Sequence, residues 1–196
     1  MWDERFAKAE PVYGEEPNAY LRAQAAMVGA GGQVLVPGDG YGRNGVWLAR
    51  QGYDVHTVDV SPVGVERARG TAEKAGVTMR IEQADAVAWA WPVGEYDAVF
   101  SIFFHMPGAM REVVHGKMLA ALRPGGLLVL QAFSPGQLKF TSGGPKQVDL
   151  LYTVEQLQQD FAGTEIVELQ EKVVELEEGT MHSGPGAVVQ GVFRKR

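Results

Sequence analysis

Short apolar runs, each bounded by glycine, proline or aspartate, alternate along the chain with longer stretches whose apolar positions recur at helical spacing. This is the pattern of βα units, whose strands lie mostly parallel because each crossover returns the chain to the same sheet edge. A helix is expected from Pro17-Asn18, carrying Tyr20, Leu21, Ala25 and Met27 and stopping at Gly29 to Gly32. The first strand follows as "QVLV", then a helix over 44–51 ended by Gly52, then "DVHTVDV" as the second strand. Ser61-Pro62 caps a helix that Gly76 stops after Ala75, and "VTMRIE" reads as a third strand. "YDAVFSIFF" is apolar on both faces, as a strand covered by helices on each side should be. An amphipathic helix over 109–122 ended by "RPGG" leads into "LLVLQAF", the fifth strand. Residues 134–152 are irregular and polar, a connection long enough to expect a functional role, here a substrate lid. A short helix at 153–161 precedes "EIVELQEKVVELEE" and "AVVQGVFRK", an antiparallel pair joined by "GTMHSGPG".

A chain of 196 residues suits one domain with one core. Its expected parts are an N-terminal helical cap at 1–32, a core at 33–133, the lid at 134–152, and a helix with terminal hairpin at 153–196. No apolar run is long enough to span a bilayer, and "MWDERFAKAE" lacks an apolar signal core, so a cytoplasmic protein without membrane contact is expected. The absence of cysteine removes disulfides, thiolate metal sites and a cysteine nucleophile, and no metal site is expected. A net charge of −6 disfavours nucleic acid and leaves a small molecule as the expected ligand.

The stretch "VLVPGDGYGRN" at 34–44 places Gly38, Gly40 and Gly42 where a strand hands over to a helix. Such a loop aims backbone N–H groups above the sheet edge, and glycine lets ligand atoms approach them closely. A tight turn without a ligand has the same pattern. A dinucleotide fold wants G-x-G-x-x-G, and its third glycine place is Arg43 here. The next strand ends in Asp59, where a carboxylate can accept from both hydroxyls of a ribose or simply cap the following helix. After the third strand, "QADAVAW" puts Asp85 where an adenine amino group would be met, or in an ordinary turn. Successive strand ends thus outline a nucleoside-sized pocket on one sheet edge.

In the order "VLVPGDGYG", "VDVSP", "ADA", "YDAVFSIF" and "LRPGGLLVL", residues 33–133 resemble the class I S-adenosyl-L-methionine-dependent methyltransferases. "GYGRN", the opening "MWDERFAKAEPVYGEEPNAYL" and "SGGPKQVDLL" are similar to the small tellurite-resistance-type and thiopurine-type members, across nearly the whole chain. The resemblance implies a Rossmann-like α/β fold with a seven-stranded mixed sheet, helices on both faces and a reversed last strand in the terminal hairpin. It implies S-adenosyl-L-methionine as cofactor and S-adenosyl-L-homocysteine as product. Cofactor contacts are implied for Gly38, Gly40, Gly42, Asp59, Val60, Asp85 and Ala86, with Ser101 and Ile102 near the methionine end. Many members carry an acid two residues before the first glycine. Val36 stands there, so Asp39 or backbone carbonyls are left to meet the methionine ammonium. Arg43 can pair with the cofactor carboxylate or be solvated, and Asn44 can cap the helix or touch the cofactor. Trp2 and Tyr13 can cover the cofactor with aromatic surface, and packing against the sheet is the other reading for Trp2 and the one expected.

The expected reaction is methyl transfer to a small-molecule nucleophile: a thiol, a selenium or tellurium species, or similar. The alternatives are a non-catalytic S-adenosyl-L-methionine-binding regulatory or resistance protein, and a nicotinamide-dependent oxidoreductase, against which Arg43 counts. An in-line displacement at a sulfonium asks the protein mainly to align the nucleophile. A thiolate or chalcogen anion needs no base, whereas an alcohol or ammonium needs a nearby His or Asp. Substrate-side candidates are His105, ending the fourth strand in "SIFFHMP", Lys146 with Asp149 in the long connection, and His182 in the last turn. A packed imidazole, a solvated lysine and a loop histidine are the corresponding structural readings.

Overall fold

The computed structural model describes residues 2–8 and 10–196. Its centre is a sheet of β1 (Gln33–Pro37), β2 (Asp54–Asp59), β3 (Arg80–Gln83), β4 (Tyr96–Ile102), β5 (Leu122–Phe133), β6 (Glu165–Glu178) and β7 (His182–Arg194). The strand order is β3-β2-β1-β4-β5-β7-β6. The first five strands pair in parallel, and β7 runs antiparallel to both β5 and β6, so the seven-stranded mixed sheet with a reversed last strand is as expected. Strand order reverses between β1 and β4, and a crevice therefore opens above their carboxyl ends.

Around the sheet stand α1 (Trp2–Phe6), α2 (Ala19–Gln24), α3 (Arg43–Arg50), α4 (Pro62–Ala75), α5 (Gly108–Ala121) and α6 (Val154–Asp160). Asn18 caps α2, its Oδ1 accepting from the Leu21 N–H at 2.9 Å. Ser61 caps α4 by accepting from the Gly64 N–H at 3.0 Å, Pro62 supplies a helix-ready φ, and Gly76 ends the helix at φ +66°. Thr153 and Gln156 satisfy each other's backbone donors at the start of α6.

Alternation along β1 splits the core. Leu35 packs with Val99, Leu128, Met118 and Phe161 toward α5 and α6, while Val34 and Val36 pack with Leu21, Leu48 and Phe100 toward α2 and α3. The central strands are buried on both faces, which is why "VFSI" and "LLVL" are apolar throughout.

Three expectations change. The "RPGG" turn does not close α5, which ends at Ala121; residues 122–133 form one strand whose pairing with β4 shifts between Tyr96 and Ala98. The expected N-terminal helix is shorter, with a 3-10 turn at Ala25–Met27 replacing its last part. The connection at 134–152 is largely fastened down: buried Gln137 donates through Nε2 to Ser142 Oγ and the Gly143 carbonyl, both at 3.0 Å, and accepts from the Ala187 N–H of β7 at 2.8 Å. Its longest exposed stretch is 146–149, and Leu138, Lys139 and Thr141 are exposed as well. Among the described residues no helix is long and apolar enough to cross a membrane.

Candidate cofactor and acceptor site

A cavity of about 640 Å³ lies over the carboxyl ends of β1 and β4, a size usual for small-molecule sites. Its walls are the glycine loop, the N-terminal segment, the chain leaving β4, the 141–150 stretch and the start of β7.

Gly38, Gly40 and Gly42 all have positive φ, +69°, +58° and +87°. A Cβ would lie 2.3 Å from Phe104 at Gly38, 2.7 Å from Phe6 at Gly40 and 3.0 Å from Ala68 of α4 at Gly42. Glycine is therefore required by the loop's own packing; Gly38 and Gly40 also line the cavity, and Gly42 does not. A fourth glycine, Gly45, lets the chain approach Asp39, whose Oδ2 accepts from the Gly45 N–H at 3.0 Å.

Asp39 is the site's principal acid. Its carboxylate is buried at the cavity wall, and Oδ1 has no hydrogen-bond partner among the described residues. Burial, opposed by the Gly45 N–H and the Arg43 charge, pushes the carboxyl up to about 7. Val36 is 1% exposed within the core and cannot serve in this role.

Asp59 is spoken for by the backbone. Its Oδ2 accepts from the Gly40 N–H at 2.8 Å and its Oδ1 from the Ser61 N–H at 2.9 Å, while burial raises its pKa against both bonds. Asp85 is exposed and accepts from the Val87 N–H at 2.8 Å, the turn arrangement. Val60 is exposed, Ala86 is buried, and Ser101 is buried with an unpartnered Oγ. The structure thus gathers Tyr13, Gly38, Asp39, Gly40, Asn44, Ile102, His105, Lys146 and His182 around the cavity and leaves Gly42, Asp59, Val60, Asp85, Ala86 and Ser101 outside its lining.

Several local expectations are corrected. Asn44 is not the cap of α3, which begins at Arg43 after left-handed Gly42; its Oδ1 accepts from the Asn18 N–H at 2.9 Å and ties down the N-terminal segment. Arg43 is neither solvated nor free, since Nη2 donates to the Glu178 carboxylate and Nη1 to the Glu16 carbonyl at 3.0 Å. Trp2 does not pack on the sheet but stacks on Phe6 at 5.8 Å and stays 40% exposed. His105 lies beyond β4, which ends at Ile102, and His182 opens β7 rather than sitting in the turn.

Phe103, Phe133, Tyr13 and His182 make part of the wall aromatic. Phe103 follows β4 with φ +50°, a left-handed conformation that is an outlier for so bulky a residue. Its ring stacks on Phe133 at 4.5 Å and meets the edge of His182 at 4.7 Å, while Tyr13 lies 4.8 Å from His182. His105 has both ring nitrogens engaged: Nδ1 is 2.6 Å from the Leu150 carbonyl, and Nε2 is 3.4 Å from the Phe133 N–H. These contacts assign a neutral ring with its proton on Nδ1. Burial, aided by His182 and opposed by the Leu150 bond, holds His105 down at about 4. Lys146 is exposed at the cavity's rim. Among the described residues no group of three or more His, Asp or Glu is placed to hold a metal ion. Phe103, Phe133 and Glu178 escaped the sequence reading because strand residues looked like ordinary core or edge positions.

Residues 34–126 match the family model of a methyltransferase domain. The chain is 37% identical over 84 residues to the demethylmenaquinone methyltransferase of Thermus thermophilus, covering 43% of this chain and 38% of that protein. Across the curated relatives, the match spans 31–48% of their length. A structure solved in work on the conversion of a disulfide bond into a thioacetal group during echinomycin biosynthesis superposes with a TM-score of 0.79 at 23% identity, covering 98% of this chain and 87% of that one. TehB from Haemophilus influenzae does so with a TM-score of 0.74 at 19% identity, over 91% of this chain and 62% of that one. Two further structures that share the fold, described as S-adenosyl-L-methionine-dependent methyltransferases from Methanosarcina mazei and Aquifex aeolicus, superpose with a TM-score of 0.68 at 17% identity. The nicotinamide alternative loses its support with this match.

Proposed function

We propose that this chain, which carries a methyltransferase domain at residues 34–126 within a class I methyltransferase fold, binds S-adenosyl-L-methionine above β1 and β4 and directs methyl transfer to a small nucleophile. The observation that carries the reading is Asp39: a buried carboxylate among the cavity-lining residues, with one oxygen lacking a hydrogen-bond partner among the described residues, suits a cationic, hydrogen-bonding ligand group. The methionine ammonium of the cofactor is such a group. Bound there, the cofactor supplies an electrophilic methyl on a sulfonium.

The chain's own residues divide the remaining work. Asp39 accepts from the ammonium and is held for it by Gly45. Asp59 fixes the glycine loop through Gly40, keeping the backbone open where the cofactor approaches. Ile102 and Tyr13 add apolar surface to the same cavity. Phe103, Phe133 and His182 form a wall that excludes water from the acceptor, and Lys146 places a positive charge at the rim. Alignment of this kind can supply on the order of 7–11 kcal/mol of barrier lowering.

The acceptor class follows from what His105 is occupied with. His105 Nδ1 is committed to the Leu150 carbonyl and Nε2 faces the Phe133 N–H, so an acceptor that arrives already ionised and needs no base makes the least demand on the site. A thiolate or a reduced selenium or tellurium species meets that requirement, in line with the resemblance to the tellurite-resistance-type and thiopurine-type enzymes. Incubation with S-adenosyl-L-methionine and a panel of thiols, chalcogen anions, amines and phenols, read by S-adenosyl-L-homocysteine release, tests this. Turnover confined to thiols and chalcogen anions is expected. Turnover only with amines or phenols would overturn the acceptor class, and binding without turnover on any acceptor would favour a non-catalytic role.

A further inference from the structure

Glu178 closes β6 and is 8% exposed, an unusual position for a carboxylate outside the cavity lining. Its Oε1 accepts from Asn18 Nδ2 at 2.7 Å and its Oε2 from Arg43 Nη2. The same Oε2 faces His182 Nδ1 at 3.9 Å, beyond hydrogen-bond reach, and that nitrogen has no hydrogen-bond partner among the described residues. Two of these partners, Arg43 and His182, line the cavity, and Asn18 lies buried behind its lining. Asn18 caps α2 and donates its backbone N–H to Asn44, Arg43 opens α3 after the glycine loop, and His182 begins β7 with its ring against Phe103, Phe133 and Tyr13.

The surrounding backbone shows that this joint is tightly closed. Met181 donates its N–H to the Val12 carbonyl at 2.9 Å, and a Cβ on Gly179 would lie 2.3 Å from the Gly14 nitrogen. The β6–β7 turn and the N-terminal segment are thus held together with Glu178 beside them. Burying a carboxylate is unfavourable unless it is fully paired, and here the pairing joins elements far apart in the chain.

From this geometry we infer that Glu178 is a positioning residue, which holds His182 in the acceptor wall and, through Arg43 and Asn18, fixes that wall relative to the glycine loop and the N-terminal segment. The inference rests on the methyltransferase reading for its kinetic consequence and on the contacts alone for its structural one. Glu178 acts through His182, so truncating His182 should remove most of what Glu178 contributes to acceptor use.

The charged and polar groups around the His182 ring are Glu178 from β6, Arg43 from α3, Arg5 from α1, Tyr13 from the N-terminal segment and His105 from the chain after β4. Burial lowers its pKa, Glu178 raises it, and Arg43 and Arg5 lower it further. Replacing Glu178 by Gln therefore removes a raising charge and keeps the lowering charges of Arg43 and Arg5.

The test uses wild type, Glu178→Gln, His182→Asn and the double variant of the full chain. In the imidazole NMR spectrum, Glu178→Gln should lower the His182 titration midpoint. Acceptor KM should rise roughly tenfold in Glu178→Gln, S-adenosyl-L-methionine affinity should change much less, and the double variant should be no worse than His182→Asn. An unmoved His182 midpoint in folded Glu178→Gln, or kinetic losses that simply multiply in the double variant, would overturn the inference. If Glu178→Gln does not fold, Glu178→Asp replaces it: the shorter carboxylate should displace His182 and raise acceptor KM, and wild-type behaviour would overturn the role. Were the wild type to bind no S-adenosyl-L-methionine, the methyltransferase reading would fail, and the NMR titration would still decide the Glu178–His182 relationship.

Discussion

The backbone N–H of Gly40 donates to Asp59 Oδ2 at 2.8 Å, so the acid that ends β2 is a structural tie to the glycine loop. Asp59→Ala leaves the Gly40 and Ser61 N–H groups without this acceptor. A hydrogen bond to a charged group contributes about 1.5–3 kcal/mol, so Tm should fall, and S-adenosyl-L-methionine affinity should fall with the order of the loop. Asp59→Asn keeps one carbonyl acceptor and should lose less. Calorimetric affinity unchanged in folded Asp59→Ala would show that the loop holds its shape unaided.

Gly40→Ala places a Cβ 2.7 Å from the Phe6 ring in a residue at φ +58°. The clash and the backbone cost are separable, because a left-handed conformation costs a non-glycine residue roughly 1–2 kcal/mol whatever its neighbours. Adding Phe6→Ala should recover part of the thermal stability lost by Gly40→Ala, beyond what the effects of the two single variants sum to. Simple additivity in a double-mutant cycle would place the Phe6 ring elsewhere.

Glycine, proline and aspartate punctuation made the βα order readable, because those residues answer to local backbone demands: Ser61 and Gly76 end α4 where their chemistry says they must. The aspartates were harder. Asp59 and Asp85 stand at the strand ends expected of them, where Asp59 accepts backbone N–H groups through both oxygens and Asp85 through Oδ1, bonds set by loop geometry that one sequence does not display. Glu178 lay hidden for another reason. A glutamate at the end of a polar strand resembles the exposed glutamates before it, and only the pairing of β6 with β7 and the approach of Arg43 bury it.

His105 gives an acid-stability prediction. Its folded pKa lies at about 4, below the ordinary 6.5, so the neutral ring is favoured in the fold. The stability it contributes is present above pH 6.5 and is lost as pH falls toward about 4. His105→Gln should show a smaller drop in Tm across that interval, measured against wild type. The wild-type kcat profile should carry no ionisation near 6.5 that disappears in this variant; finding one would make His105 the base.

Lys146 sits at the exposed rim of the cavity. Lys146→Ala should raise KM for an anionic acceptor several-fold, an effect that shrinks with added salt, because an exposed charge contributes about 1 kcal/mol or less. Cofactor affinity should not move. An equal change for neutral and anionic acceptors would remove the electrostatic role.

The most direct test of the site is the pH dependence of S-adenosyl-L-methionine affinity in wild type and Asp39→Asn. Burial holds the Asp39 carboxyl at about 7, and the ligand's ammonium requires it ionised, so wild-type affinity should rise as pH increases from about 6 toward 7. It should decline again above about 8, where an α-ammonium loses its proton. Binding below pH 7 should release a proton, visible in calorimetry as heat that depends on the buffer. Asp39→Asn should bind at least roughly tenfold more weakly at pH 7.5 and lose the acid limb. A wild-type affinity that is flat between pH 6 and 7 and unchanged in Asp39→Asn would contradict cofactor binding at this carboxylate.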